Sequence, residues 1–432
     1  MTRTSFKLPA WSVLFLVLGI AATTACGDEE FNLTKEINFT ATPNAAPLGN
    51  GRFVVVLVEQ LPWVEDFRIF GRLVNANSSR TGGELGALFP IGKGHNPSVS
   101  TPSFSSAVVG PEAPHFVVTW SDADGILARV YRGDGSPRAS EFRVVSLPPD
   151  PWEPIFTPFV AMLSEDAFVV TWKTNPLPQG GLQEYISAQL FDLDGNPLLP
   201  NPINVDEFFL INKQVFHPVV ERLRDGDFIV SWSIRIPGNS HMAQEVRAQI
   251  FQSNGQPRGS TLWVNSYHYY DQRFPDVAPL TDGGFVIVWE SIAPQDGSGS
   301  GIFGQRFDRE RKPVGGEFQV NESSQGNQTE PHVIGTPSGG FIVAWRGPNP
   351  SGTGPSSAVF QRQFNCNGRP GPEFRVNLTL EGSHHNPAMA YIQAKWSRDY
   401  VTVWDFEQNP TEPEASSNIL GRYIFDSGLC PL

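Results

Sequence analysis

A short run of β-branched residues led by an aromatic recurs seven times, and no other feature of the chain constrains its fold as strongly. The run reads Phe53-Val-Val-Val-Leu57, Phe116-Val-Val-Thr-Trp120, Phe168-Val-Val-Thr-Trp172, Phe228-Ile-Val-Ser-Trp232, Phe285-Val-Ile-Val-Trp289, Phe341-Ile-Val-Ala-Trp345 and Tyr400-Val-Thr-Val-Trp404. The leading aromatics are 63, 52, 60, 57, 56 and 59 residues apart. Branched and aromatic side chains fit a pleated surface, so each run predicts a strand. Both of its faces are apolar, which places it between covering neighbours.

Three more strands recur around each run. A Pro-x-(Val/Ala) segment precedes it, at Pro43, Pro97, Pro158, Pro218, Pro275, Pro331 and Pro387. Proline is expected to open this strand, where no ladder donor is needed. A third strand follows at 69–73, 126–131, 186–191, 246–251, 302–307, 359–364 and 419–425. The fourth falls at 84–89, 141–145, 203–205, 262–265, 317–321 and 373–377. Named A to D in chain order, A, B and C occur seven times but D only six. Residues 36–39, upstream of the first A strand, can supply the missing D. The expected fold is therefore all-β: a seven-bladed β-propeller of four-stranded blades over residues 36–432, with an N-terminal strand completing the last blade. Closure removes the exposed edges of an open array, which would need capping repeats. The 41 Gly and 38 Pro of the 432 residues then read as periodic turn punctuation.

Residues 1–25 read as a secretory signal, with Arg3 and Lys7 ahead of an uncharged stretch at 8–22 that is too short for a lasting span. The stretch ends Thr23-Thr24-Ala25-Cys26, which resembles a bacterial lipoprotein lipobox. That resemblance implies an acylated Cys26, a lipidated tether over 26–35, and a place in the bacterial cell envelope, at the outer membrane. Cys366 and Cys430 remain as a candidate disulfide. The net charge of −13 argues against a nucleic-acid partner.

Gly-Gly-Phe285-Val-Ile-Val-Trp289, Ile302-Phe-Gly-Gln-Arg-Phe-Asp308 and Pro313-Val-Gly-Gly-Glu-Phe-Gln-Val-Asn321 resemble a repeat of large bacterial secreted proteins. The resemblance implies a propeller and brings no catalytic residues with it.

In an up-and-down blade the A–B and C–D loops share one rim, and the longer, more variable B–C and D–A loops share the other. Binding resides in variable loops on a rigid frame, so the long-loop rim is the candidate functional face. Its D–A loops offer Trp152, Phe156, Phe208, Phe209, Phe216, Tyr267, Tyr269, Tyr270 and Phe274, beside Asp150, Glu153, Asp206, Glu207 and Asp271. Flat rings beside carboxylates suit a glycan or a peptide, although the same rings could pack between loops. Asp122 and Asp124 read as turn or site residues alike. Asp192, Asp194 and Asn196 resemble a calcium loop lacking its distal half and read better as a hairpin turn. His384 and His385, ahead of Pro387, read as surface residues, and no motif for a metal, a cofactor or a serine nucleophile is found. Arg72, Arg129, Gln189, Gln249, Arg306 and Arg422 recur on C strands, which points to structural hydrogen bonding.

The leading expectation is a non-enzymatic, lipid-anchored monomeric propeller. It would bind an envelope protein or polysaccharide at this rim and touch the membrane only through its anchor. The alternatives are a glycan-active hydrolase or lyase with carboxylates near the propeller axis, and a purely architectural scaffold.

Overall fold

All seven aromatic-led runs form strands: Arg52–Gln60, His115–Asp122, Ala167–Thr174, Phe228–Arg235, Phe285–Ile292, Phe341–Pro348 and Asp399–Glu407. The structure, a computed structural model, describes residues 29–34, 41–60, 66–76, 84–95, 103–105, 115–122, 124–146, 158–174, 184–206, 213–236, 243–292, 295–349, 356–392, 399–408 and 417–425. Its strands make seven antiparallel four-stranded sheets, each in the order A-B-C-D. Among the described residues no helix is long and apolar enough to cross a membrane.

The ring is closed by its inner strands. These are Ala41–Gly49, Ser103–Ser105, Phe159–Met162, Gln214–Arg222, Gln272–Pro279, Thr329–Gly335 and Ser383–Tyr391, each packed on the next and the seventh on the first. The fold is thus a seven-bladed β-propeller. The B-strand tryptophans Trp120, Trp172, Trp232, Trp289, Trp345 and Trp404 are among the largest fully buried side chains, and Leu57 is as buried in blade one. In five blades the leading aromatic stacks on the ring that ends the C strand, as in Phe341 on Phe364 at 4.6 Å and Phe285 on Phe307 at 5.0 Å. These stacked rings tie the B and C strands of those blades together.

Blade seven is completed by Phe31–Asn32 rather than by 36–39, which lie outside the described residues. The closing strand therefore starts inside the segment assigned to the tether. Glu30-Phe31-Asn32-Leu33-Thr34 has the pattern of the D strand Glu317-Phe318-Gln319-Val320-Asn321. The Phe31 ring lies against Gly421, where a Cβ would come within 2.7 Å of it; Phe318 sits on Gly304 and Phe89 on Gly71 in the same way. Thr34 Oγ1 accepts the Ile419 N–H at 2.9 Å, the task of Asn321 toward Ile302 and of Asn377 toward Val359. Glutamates latch successive blades together: Glu317 accepts from Ser266 N–H at 2.7 Å, Glu373 from Glu322 N–H at 2.6 Å, and Glu30 from Leu378 N–H. The last latch ties the N-terminal strand to the loop after blade six.

Pro158 stands directly ahead of its strand, Phe159–Met162, as expected, but most of the described prolines do not open theirs. Pro218, Pro275, Pro331 and Pro387 lie within theirs, each at a β-bulge where the register slips. The residue before each proline takes a left-handed backbone: His217 (φ 48°), Phe274 (φ 52°), Glu330 (φ 57°) and Asn386 (φ 49°). A bulge leaves one residue outside the ladder, so proline's missing donor costs nothing there.

Candidate functional site

Four non-glycine residues held left-handed at one position of four successive inner strands are unusual, since each costs on the order of 1 kcal/mol or more of backbone strain. The bulges lie near the starts of the A strands, on the long-loop rim around the propeller axis. The C-terminal ends of the B strands reach the same rim and carry Lys173, Arg235, Glu290, Arg346 and Asp405.

These elements bring one continuous set of side chains together. His217 lies with its ring centroid 4.2 Å from that of Phe274. Its pKa falls to about 4, because burial penalises the imidazolium and because Arg273 and Lys173 repel it. His217 Nδ1 is buried and has no hydrogen-bond partner among the described residues. The imidazole is therefore neutral at ordinary pH. Phe216, next in sequence, has the Lys173 ammonium 5.3 Å and the Arg235 guanidinium 5.8 Å from its ring centroid.

Each cation is oriented by a carboxylate. Lys173 pairs with Glu184 at 2.9 Å, Arg235 with Asp271 at 3.1 Å, Arg273 with Glu290 at 2.8 Å and Arg346 with Glu330 at 3.0 Å. The guanidinium groups of Arg235, Arg273 and Arg346 stay about one-third exposed, so a ligand can reach them. Burial pushes the Glu290 carboxyl up, and the nearby Glu330 charge adds to the rise while Arg273 opposes it. Glu330 in turn accepts the Asn386 N–H at 2.7 Å, and Asn386 Nδ2 donates to Asp405 at 2.8 Å. The bulge residues of blades six and seven are thus fastened to each other by side chains rather than by a ladder. A neutral base, exposed cations and aromatic faces converge here. Such a set can bind an anionic polymer and move a proton.

Of the residues singled out from the sequence, Trp152, Phe156, Phe208, Phe209, Asp150, Glu153 and Glu207 lie outside the described residues, as do Cys26 and Cys430. Cys366 is disulfide-bonded. Phe216, Phe274 and Asp271 join the constellation. Tyr269 and Tyr270 are 54% and 55% exposed, with Tyr267 half-buried beside them. Asp206 is withdrawn from the rim into a fully buried ion pair with Lys213 at 2.6 Å. Asp122 pairs with Arg143 and accepts the Asp124 N–H, which is turn chemistry. Asp192 caps its own hairpin through Asp194 N–H and Asn196 N–H. The recurrent C-strand residues bond to backbone carbonyls, as in Gln189 to Leu199 and Arg422 to Val376.

His384 and His385 are not surface residues. They lie in the inner strand Ser383–Tyr391, and His384 is fully buried against Phe406 and Trp404. His384 occupies the position of Gln272 and Gln328, whose amides accept the indole N–H of Trp289 and Trp345. No group of three or more metal-ligating side chains occurs among the described residues. Sequence reasoning passed over His217, Arg273 and Glu330. The available signal was the repeated x-Pro step at the head of each A strand, read there as a strand start.

The chain matches no protein-family profile and no curated protein by sequence. By structure it is similar to a polysaccharide lyase, an ulvan lyase bound to -[GlcA(1-4)Rha3S]-, with a TM-score of 0.55 at 11% identity over 89% of this chain and 93% of that one. It is similar to a protein of unknown function from Dyadobacter fermentans, with a TM-score of 0.50 at 11% identity over 92% and 98% of the two chains. An α-L-arabinofuranosidase from Fusarium graminearum gives a TM-score of 0.48 at 11% identity over 90% and 93%. The likeness establishes the fold. The expectation of a non-enzymatic binding propeller is corrected at this point: the solved propeller that resembles the whole chain is a polysaccharide lyase, which favours the enzymatic alternative over a binding module.

Proposed function

We propose that the protein is a glycan-active enzyme that cleaves an anionic, uronate-containing polysaccharide by β-elimination at the long-loop rim. The observation that carries this reading is His217, a neutral imidazole held in a left-handed bulge between an aromatic ring and two cations. In β-elimination a base takes the proton α to the uronate carboxylate. The electron pair forms the new ring double bond, and the glycosidic oxygen leaves and is protonated. A carboxylate in that position must have its charge offset before its α-proton becomes acidic enough, and cations such as Arg273 and Lys173 supply this. Within an acidic chain, partly exposed Arg235, Arg273 and Arg346 give the rim a local affinity for anions. Export with a lipid anchor at Cys26 would hold the rim where polysaccharide is met.

Glu290 and Glu330 support hydrolysis as a second reading, since two carboxyls lie near each other on the rim and burial raises that of Glu290. Glu290 is only about 1% exposed and committed to Arg273, which leaves it poorly placed to reach a leaving oxygen. The purified chain should be incubated with ulvan, alginate, polygalacturonate and a neutral arabinan. β-Elimination gives ultraviolet-absorbing unsaturated ends that His217→Ala abolishes. Reducing ends without that chromophore, lost in Glu330→Gln and kept in His217→Ala, would move the assignment to hydrolysis.

A further inference from the structure

Beyond the bulge site, the strand Leu262–Trp263 and the loop after it carry an array of exposed rings: Trp263, His268, Tyr269 and Tyr270, with Tyr267 partly covered. The Trp263 ring lies against the guanidinium of Arg247, itself 1% exposed, so its inner face is fixed while the side chain stays 55% exposed. The His268 ring meets Trp263 edge-on at 6.3 Å, and its Nδ1 lies 3.0 Å from the buried Glu245 carboxylate. Tyr267 and Tyr269 lie 5.6 Å apart, centroid to centroid.

The loop beneath the tyrosines is fastened to the blade core. The indole N–H of Trp289 donates to Gln272 Oε1 at 2.9 Å, and Gln272 Nε2 donates to the carbonyls of Tyr269 and Tyr270 at 3.2 and 3.4 Å. Tyr270 is held left-handed at φ 60°. Strain in a fixed, exposed tyrosine keeps its ring displayed, and the ordering cost of binding has already been met in the fold. Flat rings with polar edges, held in water, match the apolar faces and hydroxyl edges of pyranose rings.

The array is continuous with the site. Tyr270 precedes Asp271, which pairs with Arg235, whose guanidinium lies 5.8 Å from the Phe216 ring centroid, and Phe216 precedes His217. A polymer chain cut at His217 and leaving between blades four and five would run onto these rings. We propose that Trp263, Tyr269 and Tyr270 form a distal subsite that stacks the sugar rings of the same polysaccharide, several units from the cut. The proposal rests on the enzymatic reading for its ligand class.

The test uses the full chain, migrating through native gels cast with each polysaccharide of the panel, together with initial rates on polymer and on the corresponding trisaccharide. Tyr269→Ser/Tyr270→Gly removes both rings and relieves the left-handed strain, so it keeps the fold even where Trp263→Ala loosens Arg247. Retention of the wild type should fall tenfold or more in the double variant. The ratio of kcat/KM for polymer over trisaccharide should fall by a similar factor. Retention equal to wild type, or an unchanged ratio in an active enzyme, overturns the subsite and leaves the enzymatic reading intact. Retention lost in the double variant, with no cleavage of any polysaccharide by the wild type, keeps the subsite and sinks the enzymatic reading. A wild type retained by none of the polymers overturns the subsite and favours a protein as the occupant of the patch.

Discussion

Glu221 and Asp276 face each other from the inner strands of blades four and five, and their shared charge should make the propeller more stable in mild acid than in base. Burial raises the Glu221 carboxyl from 4.5 to about 8, with the Asp276 charge adding to the rise. Asp276 accepts two backbone N–H groups, from Val333 at 2.7 Å and Val277 at 3.0 Å, whereas Glu221 accepts one, from Arg222 at 3.2 Å. Asp276 is therefore the member that ionises first and Glu221 the one that keeps the proton. A group with its folded pKa above its unfolded value contributes stability that is complete below about pH 4.5 and lost as pH rises toward 8. The shift of about 3.5 units corresponds to at most about 5 kcal/mol, and the partial exposure of Glu221 reduces this to roughly 2–3 kcal/mol. Glu221→Gln keeps the shape and hydrogen bonding of the protonated acid and cannot ionise. With an unfolding entropy of about 2.1 cal/mol/K per residue over about 400 residues, ~3 kcal/mol moves Tm by ~4 °C. Scanning calorimetry from pH 5 to pH 9 should find wild type and variant together at the acid end, with the variant ~2–4 °C higher at pH 9. A Tm difference that stays constant across that range refutes the assignment of the proton to Glu221.

Three further outcomes follow from the same structure. His217 is held near a pKa of about 4, so kcat/KM on a cleaved polysaccharide should hold its plateau down to about pH 5; removing the neighbouring charge in Arg273→Gln should move that acid limb upward, and a limb that stays put would falsify the role of Arg273. Gly421→Ala places a Cβ about 2.7 Å from the Phe31 ring and should cost roughly 1–3 kcal/mol in chemical denaturation, whereas Gly226→Ala meets no atom within 4 Å and pays only for its left-handed backbone. Phe31→Ala strips the closing strand of the ring stacked 5.0 Å from Tyr423 and should cost roughly 3–5 kcal/mol, read as earlier urea unfolding with faster hydrogen exchange at Ile419 and Gly421 than in blade five; uniform exchange across blades would contradict closure through this strand.

The architecture was legible because it is written seven times. A buried Trp ends the B strand in six blades, and a Gly or Ala on the next strand faces a large apolar D-strand residue in six, Gln361 taking that place in blade six, so degraded copies such as Leu57 for Trp still keep the period. The closing strand was misplaced by a few residues for a physical reason. Residues 36–39 have the apolar alternation of a strand, but Phe31–Asn32 has the full D-strand pattern, including a Glu that latches the preceding loop and a Thr that caps the C strand. Side-chain hydrogen bonds at the ends of a two-residue strand decided a choice that hydrophobicity alone could not make.

The site was hidden by the same repetition. Phe216, His217, Arg273, Phe274, Thr329, Glu330, His385 and Asn386 stand at the two positions before a repeated proline, where no single residue type is kept from blade to blade, so a search for periodicity discards them as loop. The structure reverses that inference. Because proline cannot donate to the ladder, the register slips at each of these steps, and each slip frees one backbone position from pairing without ending the strand. The freed residue is carried on the inner wall of the ring, yet its side chain stands outside the ladder pairing that repeats from blade to blade. Blade packing sets what surrounds the bulge and leaves the bulge residue open to selection for chemistry. Four such residues with four different side chains, two of them tied together by the Glu330 to Asn386 hydrogen bond, are what a propeller needs to build an asymmetric site on a symmetric frame. For a repeat fold of this kind, the place to look for function is therefore the position where the repeat keeps its backbone and loses its consensus.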